Sequence, residues 1–146
     1  MVDCCCMQLK VKKLHPNAKM PSFAHATDAG LDLYAVAETT VPAHGRVLVP
    51  TGLAMAIPDG YVGLVWDKSG ISFKVGLKVI GGVADAGYRG EIFVALLNTT
   101  GTEYTFAAGD KVAQMLLQKV THPAIVEVDS LEETARGHGS FGSTGA

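Results

Sequence analysis

Gly81-Gly82-Val83-Ala84-Asp85-Ala86-Gly87-Tyr88-Arg89-Gly90-Glu91 is the stretch on which the reading of this chain turns. Four glycines enclose one carboxylate, one phenol and one guanidinium. Apolar residues lie on both sides, Val79 and Ile80 before it and Ile92 to Leu97 after it. That layout predicts a β-hairpin whose tip carries chemistry. Glycine admits a ligand close to the backbone, or a positive φ, at no steric cost. Asp and Gly are also ordinary turn residues, so the stretch alone is equally a plain turn.

The neighbouring segments supply the fold class. Tyr61 to Trp66, Glu91 to Asn98 and Tyr104 to Phe106 read as short strands, with Pro58-Asp59-Gly60 and Thr99-Thr100-Gly101 as turns between strands. Arg46 to Thr51 and Leu53 to Ile57 read as two more, and Gln8 to Leu14 as a first one. Lys111 to Val120 is almost wholly apolar, as a strand covered on both faces would be. Gln114 interrupts it and is either a structural strut or a ligand contact, because a buried amide must find hydrogen bonds. Ile125, Val126 and Val128 read as a last strand. No segment shows a long helical period. Short strands with closely spaced Gly/Pro turns predict an all-β sandwich or barrel. At most one short helix, near residues 68–74, is expected, with Asp67 or Ser69 as its cap.

Other stretches carry candidate chemistry. In Leu31-Asp32-Leu33-Tyr34-Ala35 the apolar residues share one face and Asp32 and Tyr34 the other. This predicts a buried sheet face with an acid on its reverse side. The chain ends in Arg136-Gly137-His138-Gly139-Ser140-Phe141-Gly142-Ser143-Thr144-Gly145, which has no apolar period and cannot fold alone. Phe141 should not be left in water among glycines, and Arg136 offers a planar anion-binding fork. An arm that orders over a phosphorylated aromatic ligand would use both.

Bulk properties set limits. A chain of 146 residues, 48% hydrophobic and 18% charged, makes one domain with a real core and a surface poor in charge. That low charge hints at surface buried against other subunits. With a net charge of −2 and no basic block, nothing suggests nucleic acid as a partner. No apolar run approaches the ~18 residues that span a bilayer, so no membrane role is expected. No signal-peptide core opens the chain, and a cytoplasmic location is expected. The three cysteines, Cys4, Cys5 and Cys6, are adjacent and form no disulfide framework. Residues 1–7 therefore read as a disordered extension, 8–130 as the β domain and 131–146 as a glycine-rich arm.

Five stretches in order resemble the motifs of the trimeric dUTP diphosphatase (dUTPase) family. They are Ala29 to Ala35, Lys68-Ser69-Gly70, Gly82 to Gly90, Gly109-Asp110-Lys111-Val112-Ala113-Gln114, and the tail from Arg136 to Gly145. The resemblance implies a jelly-roll-like distorted barrel and a homotrimer with shared active sites at subunit junctions, each closed by an arm. It implies hydrolysis of dUTP to dUMP and pyrophosphate with Mg2+, which limits uracil incorporation into DNA and supplies dUMP for thymidylate synthesis. By the same resemblance Asp85 is the general base for water, and Tyr88 packs under the deoxyribose. Backbone at Gly82 and Val83 reads uracil. Lys68, Ser69, Gly70 and Gln114 hold phosphates, Arg136, Gly142, Ser143 and Thr144 grip the outer ones, and Phe141 stacks on the base. Mg2+ is expected to be held mainly by substrate phosphates and waters. Asp32 is a candidate to reach it through water, with a capped turn or an interface partner as the plainer alternatives.

The chain departs from the family pattern at Lys68, where Arg is usual, at Gly87, where a second acid is common, at Ala84, and at His138 and Ser140 in the tail. Lys is a point charge without the bidentate fork. Two rivals compete with the hydrolase reading. One is dCTP deaminase on the same fold, whose catalytic glutamate and arginine-rich second motif are not found here. The other is a regulatory nucleotide-binding trimer, which loss of Asp85 or Tyr88 would have favoured.

Overall fold

Two four-stranded antiparallel sheets face each other across one apolar core in the computed structural model, which describes residues 7–140. The strands are β1 (Lys10–Lys13), β2 (Leu31–Tyr34), β3 (Thr39–Val41), β4 (Arg46–Ala56), β5 (Tyr61–Trp66), β6 (Leu77–Val79), β7 (Val83–Ala84), β8 (Glu91–Asn98), β9 (Tyr104–Phe106) and β10 (Lys111–Lys119). The first sheet runs β1-β4-β8-β6, the second β2-β10-β5-β7, and β3 pairs with β9 as a separate two-stranded ribbon. Cys4, Cys5 and Cys6 lie outside the described residues, as do Phe141, Gly142, Ser143 and Thr144.

Period-two patterning builds the core. Along β8, Ile92, Val94, Leu96 and Asn98 point inward while Phe93 points out. They meet Val49, Leu53 and Met55 of β4 and, from the other sheet, Leu33, Val65, Ala113 and Met115. Phe106 closes one end of this core, edge-on to Tyr104 at 4.9 Å between ring centroids. Asn98 is buried among them. Its amide donates to Thr102 O at 2.8 Å and its oxygen accepts from the Thr100 backbone and hydroxyl, both at 2.9 Å, so burying this polar group carries no unmet demand.

Three elements differ from expectation. The two strands expected over 46–57 are one, β4, with a bulge between Pro50 and Ala54. Gly52 sits in the bulge at φ +68°, and its carbonyl accepts the Leu14 N–H at 2.8 Å. The helix is a single π-type turn, Ile71–Val75, within the expected region but capped by neither Asp67 nor Ser69. Gly70 is its N-cap without a side-chain bond, because the Asp67 carboxylate is engaged elsewhere, by the Val79 N–H. Ile125, Val126 and Val128 form no strand within the chain, and Ile125 is 98% exposed. Their composition suits a strand, but a strand also needs a free sheet edge beside it.

The hairpin expected around Gly81–Glu91 forms in part. Its flanks pair as β6 and β8, Val79 opposite Leu96. Between them the chain changes sheets: Gly81 (φ +74°) and Gly82 (φ +93°) turn it so that Val83 and Ala84 pair with Leu64 and Gly63 of β5. Gly82 O accepts the Val65 N–H at 2.7 Å, and a Cβ on Gly82 would lie 2.6 Å from Val65 O. Only glycine fits both demands.

Candidate active site

Apart from Arg136 and the tail residues beyond 140, the predicted site residues fall into two groups at opposite ends of β5. The first follows β7. Asp85 to Tyr88 form a turn in which the Tyr88 N–H donates to Asp85 O at 3.1 Å. Arg89 braces this turn from outside, its Nη1 donating to Ala86 O at 2.6 Å and to Tyr88 O at 2.8 Å. The Tyr88 hydroxyl donates to Glu91 O at 3.0 Å, and the Glu91 carboxylate accepts the Gly52 N–H of the β4 bulge at 2.7 Å. A Cβ on Gly90 would strike the Tyr88 hydroxyl at 2.4 Å, so the ring lies where only glycine lets it lie. Together these bonds fasten the Asp85 turn to the first sheet.

A cleft of about 310 Å³ opens beside this turn. Gly82, Val83, Asp85 and Tyr88 line it, with Leu48 and Phe93 from the first sheet. Leu48, Val83 and Phe93 stay substantially exposed, and so does Asp85. An apolar slot with an exposed carboxylate at its wall, backed by glycine backbone, suits a flat heterocycle joined to a polar group.

The second group lies across the other sheet. Asp32 of β2, Gln114 of β10 and Trp66 of β5 are successive register partners in one row. Asp32 is itself buried, at 2% exposure. It is neither a capped turn nor a surface group. Lys68 pairs with its Oδ1, and the Lys111 ammonium lies 2.6 Å from Oδ2, so each oxygen faces an ammonium. Burial alone would push the Asp32 pKa up. The hydrogen bonds and charges of Lys111 and Lys68 outweigh it and hold the carboxyl below its ordinary value. The Lys111 pKa is raised in return, chiefly by its bond to Asp32.

Gln114 ties this group together. Its Nε2 donates to Asp67 O at 2.8 Å, and its Oε1 fills the space over Gly30, where a Cβ would come within 2.3 Å. The amide is thus a strut here, one of the two roles open to it. Ser69 and Gly70 are exposed beside Lys68, at the start of a turn in which Lys68 O accepts the N–H groups of Ile71 and Ser72, both at 2.9 Å. A loop with two free polar positions next to two lysines is suited to phosphate oxygens.

The chain does not bring the two groups together. Antiparallel pairing of Gly63 with Ala84 sets Asp85 level with Val62, whereas the Asp32–Gln114–Trp66 row lies four residues further along β5. To Asp32, three strand spacings away, that is about 13 Å along the strands and about 14 Å across, or about 19 Å in all. Arg136 joins neither group: its Nε donates to Gly139 O at 3.0 Å within an exposed turn of the tail.

Sequence reasoning missed several participants. Lys111 stood inside a quoted motif with no role assigned, although a lysine opening an apolar strand calls for an acidic partner. Arg89, Glu91 and Asp67 act on backbone groups, and their sequence gives no signal of it. Among the described residues no group of three His, Cys, Asp or Glu side chains could cage a metal. The donor set therefore fits a divalent ion only if the substrate brings most of the ligands, as Mg2+ does. Asp32 already faces two ammonium groups, so it offers little free charge to such an ion.

The dUTPase family profile matches residues 16–145. The chain is 46% identical over 137 residues to the deoxyuridine 5′-triphosphate nucleotidohydrolase of Oryza sativa, covering 94% of this chain and 80% of that protein. It is 47% identical over 145 residues to the enzyme of that name from Mycolicibacterium gilvum, covering 94% of each. Among solved structures, the Staphylococcus bacteriophage 80alpha dUTPase with dUpNHpp superposes with a TM-score of 0.89 at 29% identity, over 95% of this chain and 99% of that one. A variant of the phage phi11 dUTPase, in which a structural Mg(II) ion is coordinated, matches with a TM-score of 0.81 at 29% identity, over 87% and 100% of the two chains. The motifs, the sheets and these likenesses agree, and the chain belongs to the dUTPase family.

Proposed function

We propose that this protein hydrolyses dUTP to dUMP and pyrophosphate in a homotrimer whose sites are each built from more than one chain. The observation that carries the reading is the exposed Asp85 carboxylate sharing one cleft with Tyr88 and the Gly82–Val83 backbone. Uracil enters against that backbone, where its donors and acceptors meet peptide groups. The Tyr88 ring, held by Glu91, packs under the sugar and leaves no room for a 2′-hydroxyl. Asp85 accepts a proton from a water molecule and directs it at phosphorus. A positioned carboxylate base contributes roughly 10²- to 10⁴-fold.

The remaining demand is charge neutralisation and alignment. Lys68, Ser69 and Gly70 from a neighbouring copy meet the phosphates, because the same chain's loop leaves β5 at the far end from the point level with Asp85. Gln114 shapes that loop through its bond to Asp67 O. Lys68 exchanges its bond to Asp32 for the phosphate, and Lys111 keeps Asp32 paired meanwhile. Mg2+, when bound through the phosphates and waters, supplies further positive charge, with Asp32 as the candidate contact through water. Arg136, Phe141, Gly142, Ser143 and Thr144 close over the nucleotide as the arm.

Pyrophosphate release from dUTP, measured beside dTTP, dCTP and UTP, tests the reading. Release from dUTP alone is expected. Ammonia release from dCTP would favour the deaminase, and nucleotide binding without turnover of any substrate would favour a regulatory protein. Asp85→Asn should abolish turnover and keep binding of dUpNHpp.

A further inference from the structure

Asp67 immediately precedes the Lys68–Gly70 loop, and its carboxylate is turned toward strand β6. One carboxylate oxygen accepts the Val79 N–H and the other pairs with Lys78. Lys78 is itself held over the Trp66 ring, its ammonium 5.8 Å from the ring centroid. The Asp67 side chain is 16% exposed, and its own carbonyl accepts from Gln114. Asp67 therefore joins three strands at one point: the end of β5, strand β6 and, through Gln114, strand β10. The next residues in the chain are Lys68, Ser69 and Gly70.

We propose that Asp67 is a positioning residue that fixes the Lys68–Gly70 loop for phosphate binding. This rests on the nucleotide-hydrolase reading above. The loop has no side-chain cap of its own, since Gly70 begins the π-turn without one. Its other anchors are the Gln114 strut and the Lys68–Asp32 pair. That pair must open when Lys68 turns to a phosphate, so in the bound state the tie from Asp67 to β6 carries more of the restraint. Strand β6 is a firm anchor because it pairs with β8 over Leu77–Val79. On the other side the Gly82 carbonyl is held by Val65 independently of Asp67. Losing the Asp67 carboxylate therefore releases the phosphate loop and leaves the nucleoside cleft in place.

The test compares ligands that do and do not carry phosphates. Binding of dUpNHpp and of 2′-deoxyuridine is measured by calorimetry on the wild-type protein, Asp67→Ala, Asp67→Asn and Lys78→Met, with steady-state KM and kcat for dUTP and a thermal melt for each. Asp67→Ala should weaken dUpNHpp about tenfold, as expected for loss of a charged hydrogen bond, and leave deoxyuridine within about twofold. Asp67→Asn keeps an oxygen for the Val79 N–H and should recover most of the loss. Lys78→Met removes only the outer ion pair and should fall between Asp67→Asn and wild type. The proposal is overturned if Asp67→Ala binds dUpNHpp as wild type does, or loses both ligands equally. If Asp67→Ala fails to fold, the Asp67→Asn and Lys78→Met pair decides: weakening of dUpNHpp alone supports the proposal, and no difference from wild type overturns it. A wild-type protein that binds dUpNHpp but releases no pyrophosphate from dUTP would defeat the hydrolase reading while leaving the binding comparison decisive for Asp67.

Discussion

Asp85 and Lys68 stand at opposite ends of strand β5, one beside its beginning and the other just past its last residue, Trp66. Under the proposed hydrolysis, the base and the phosphate-binding lysine of one site therefore come from different copies of the chain. The exposed apolar wall of the cleft, Leu48 and Phe93 on the first sheet, agrees with a surface covered by another chain.

The Lys68–Asp32–Lys111 cluster should matter for stability as well as binding. Asp32→Asn leaves two ammonium groups facing a neutral amide in a buried row. Denaturant unfolding should show a loss of about 2 kcal/mol, below the full cost of breaking a deeply buried pair because both lysines are partly in water. Lys68→Ala keeps Asp32 paired with Lys111 and should cost less stability while raising KM for dUTP. Equal stability losses in the two variants would show that the lysines are not alternatives for each other.

The same cluster sets an acid limb. The folded-state pKa of Asp32 lies below its ordinary value of 3.8. The unfolded chain therefore binds the extra proton first as pH falls, and the stabilisation is present above pH 3.8 and lost as pH drops through the lower folded value. Melting temperatures of wild type and Asp32→Asn should converge as pH falls below about 4. Parallel curves across that range would exclude Asp32 as the group responsible.

Gly82→Ala should be more harmful than its size suggests. The alanine would adopt φ +93° and place its Cβ 2.6 Å from Val65 O. A cost of about 2 kcal/mol is expected from the backbone alone. Turnover should fall further than stability, because β7 carries Asp85 away with it. Gly81→Ala, where no atom lies within 4 Å of the added Cβ, should bear only the φ cost and lose less activity. Similar turnover in both would mean that the close approach to Val65 is unimportant.

Removal of residues 136–146 should leave the thermal midpoint within about 1 °C, since exposed termini contribute little to core stability. Pyrophosphate release should be strongly suppressed. A truncated protein with normal turnover would remove the arm from the mechanism.

Much of this was legible in the sequence, for local reasons. Tyr61–Trp66, Glu91–Asn98 and Tyr104–Phe106 were readable to the residue because alternation and flanking turns coincide there. The five motifs gave the family because their residue types and order are specific. Other features depend on distant contacts. Asp32 shared the polar side of an alternating strand, and nothing local reveals that Lys68 and Lys111 close over it. Asp67 looked like a helix cap because Asp commonly caps, but Val79 and Lys78, twelve and eleven residues away, claim its carboxylate. Residues 125–128 have the composition of a strand, and composition does not say whether an edge is available within the same chain. The glycines at 81 and 82 signalled a turn. That the turn crosses between sheets follows only from the pairing of Val83 with Leu64.

Sharing of the site between copies is tested most directly by mixing two impaired variants, Asp85→Asn without turnover and Lys68→Ala assayed at dUTP far below its raised KM. Asp85→Asn keeps an intact phosphate loop and Lys68→Ala keeps an intact base. Unfolded together and refolded at equal amounts, they should form rings in which about a quarter of junctions combine the two good halves. Pyrophosphate release from dUTP should then recover to about a quarter of the wild-type rate. Activity no higher than the mean of the two separate variants would contradict a site shared between chains.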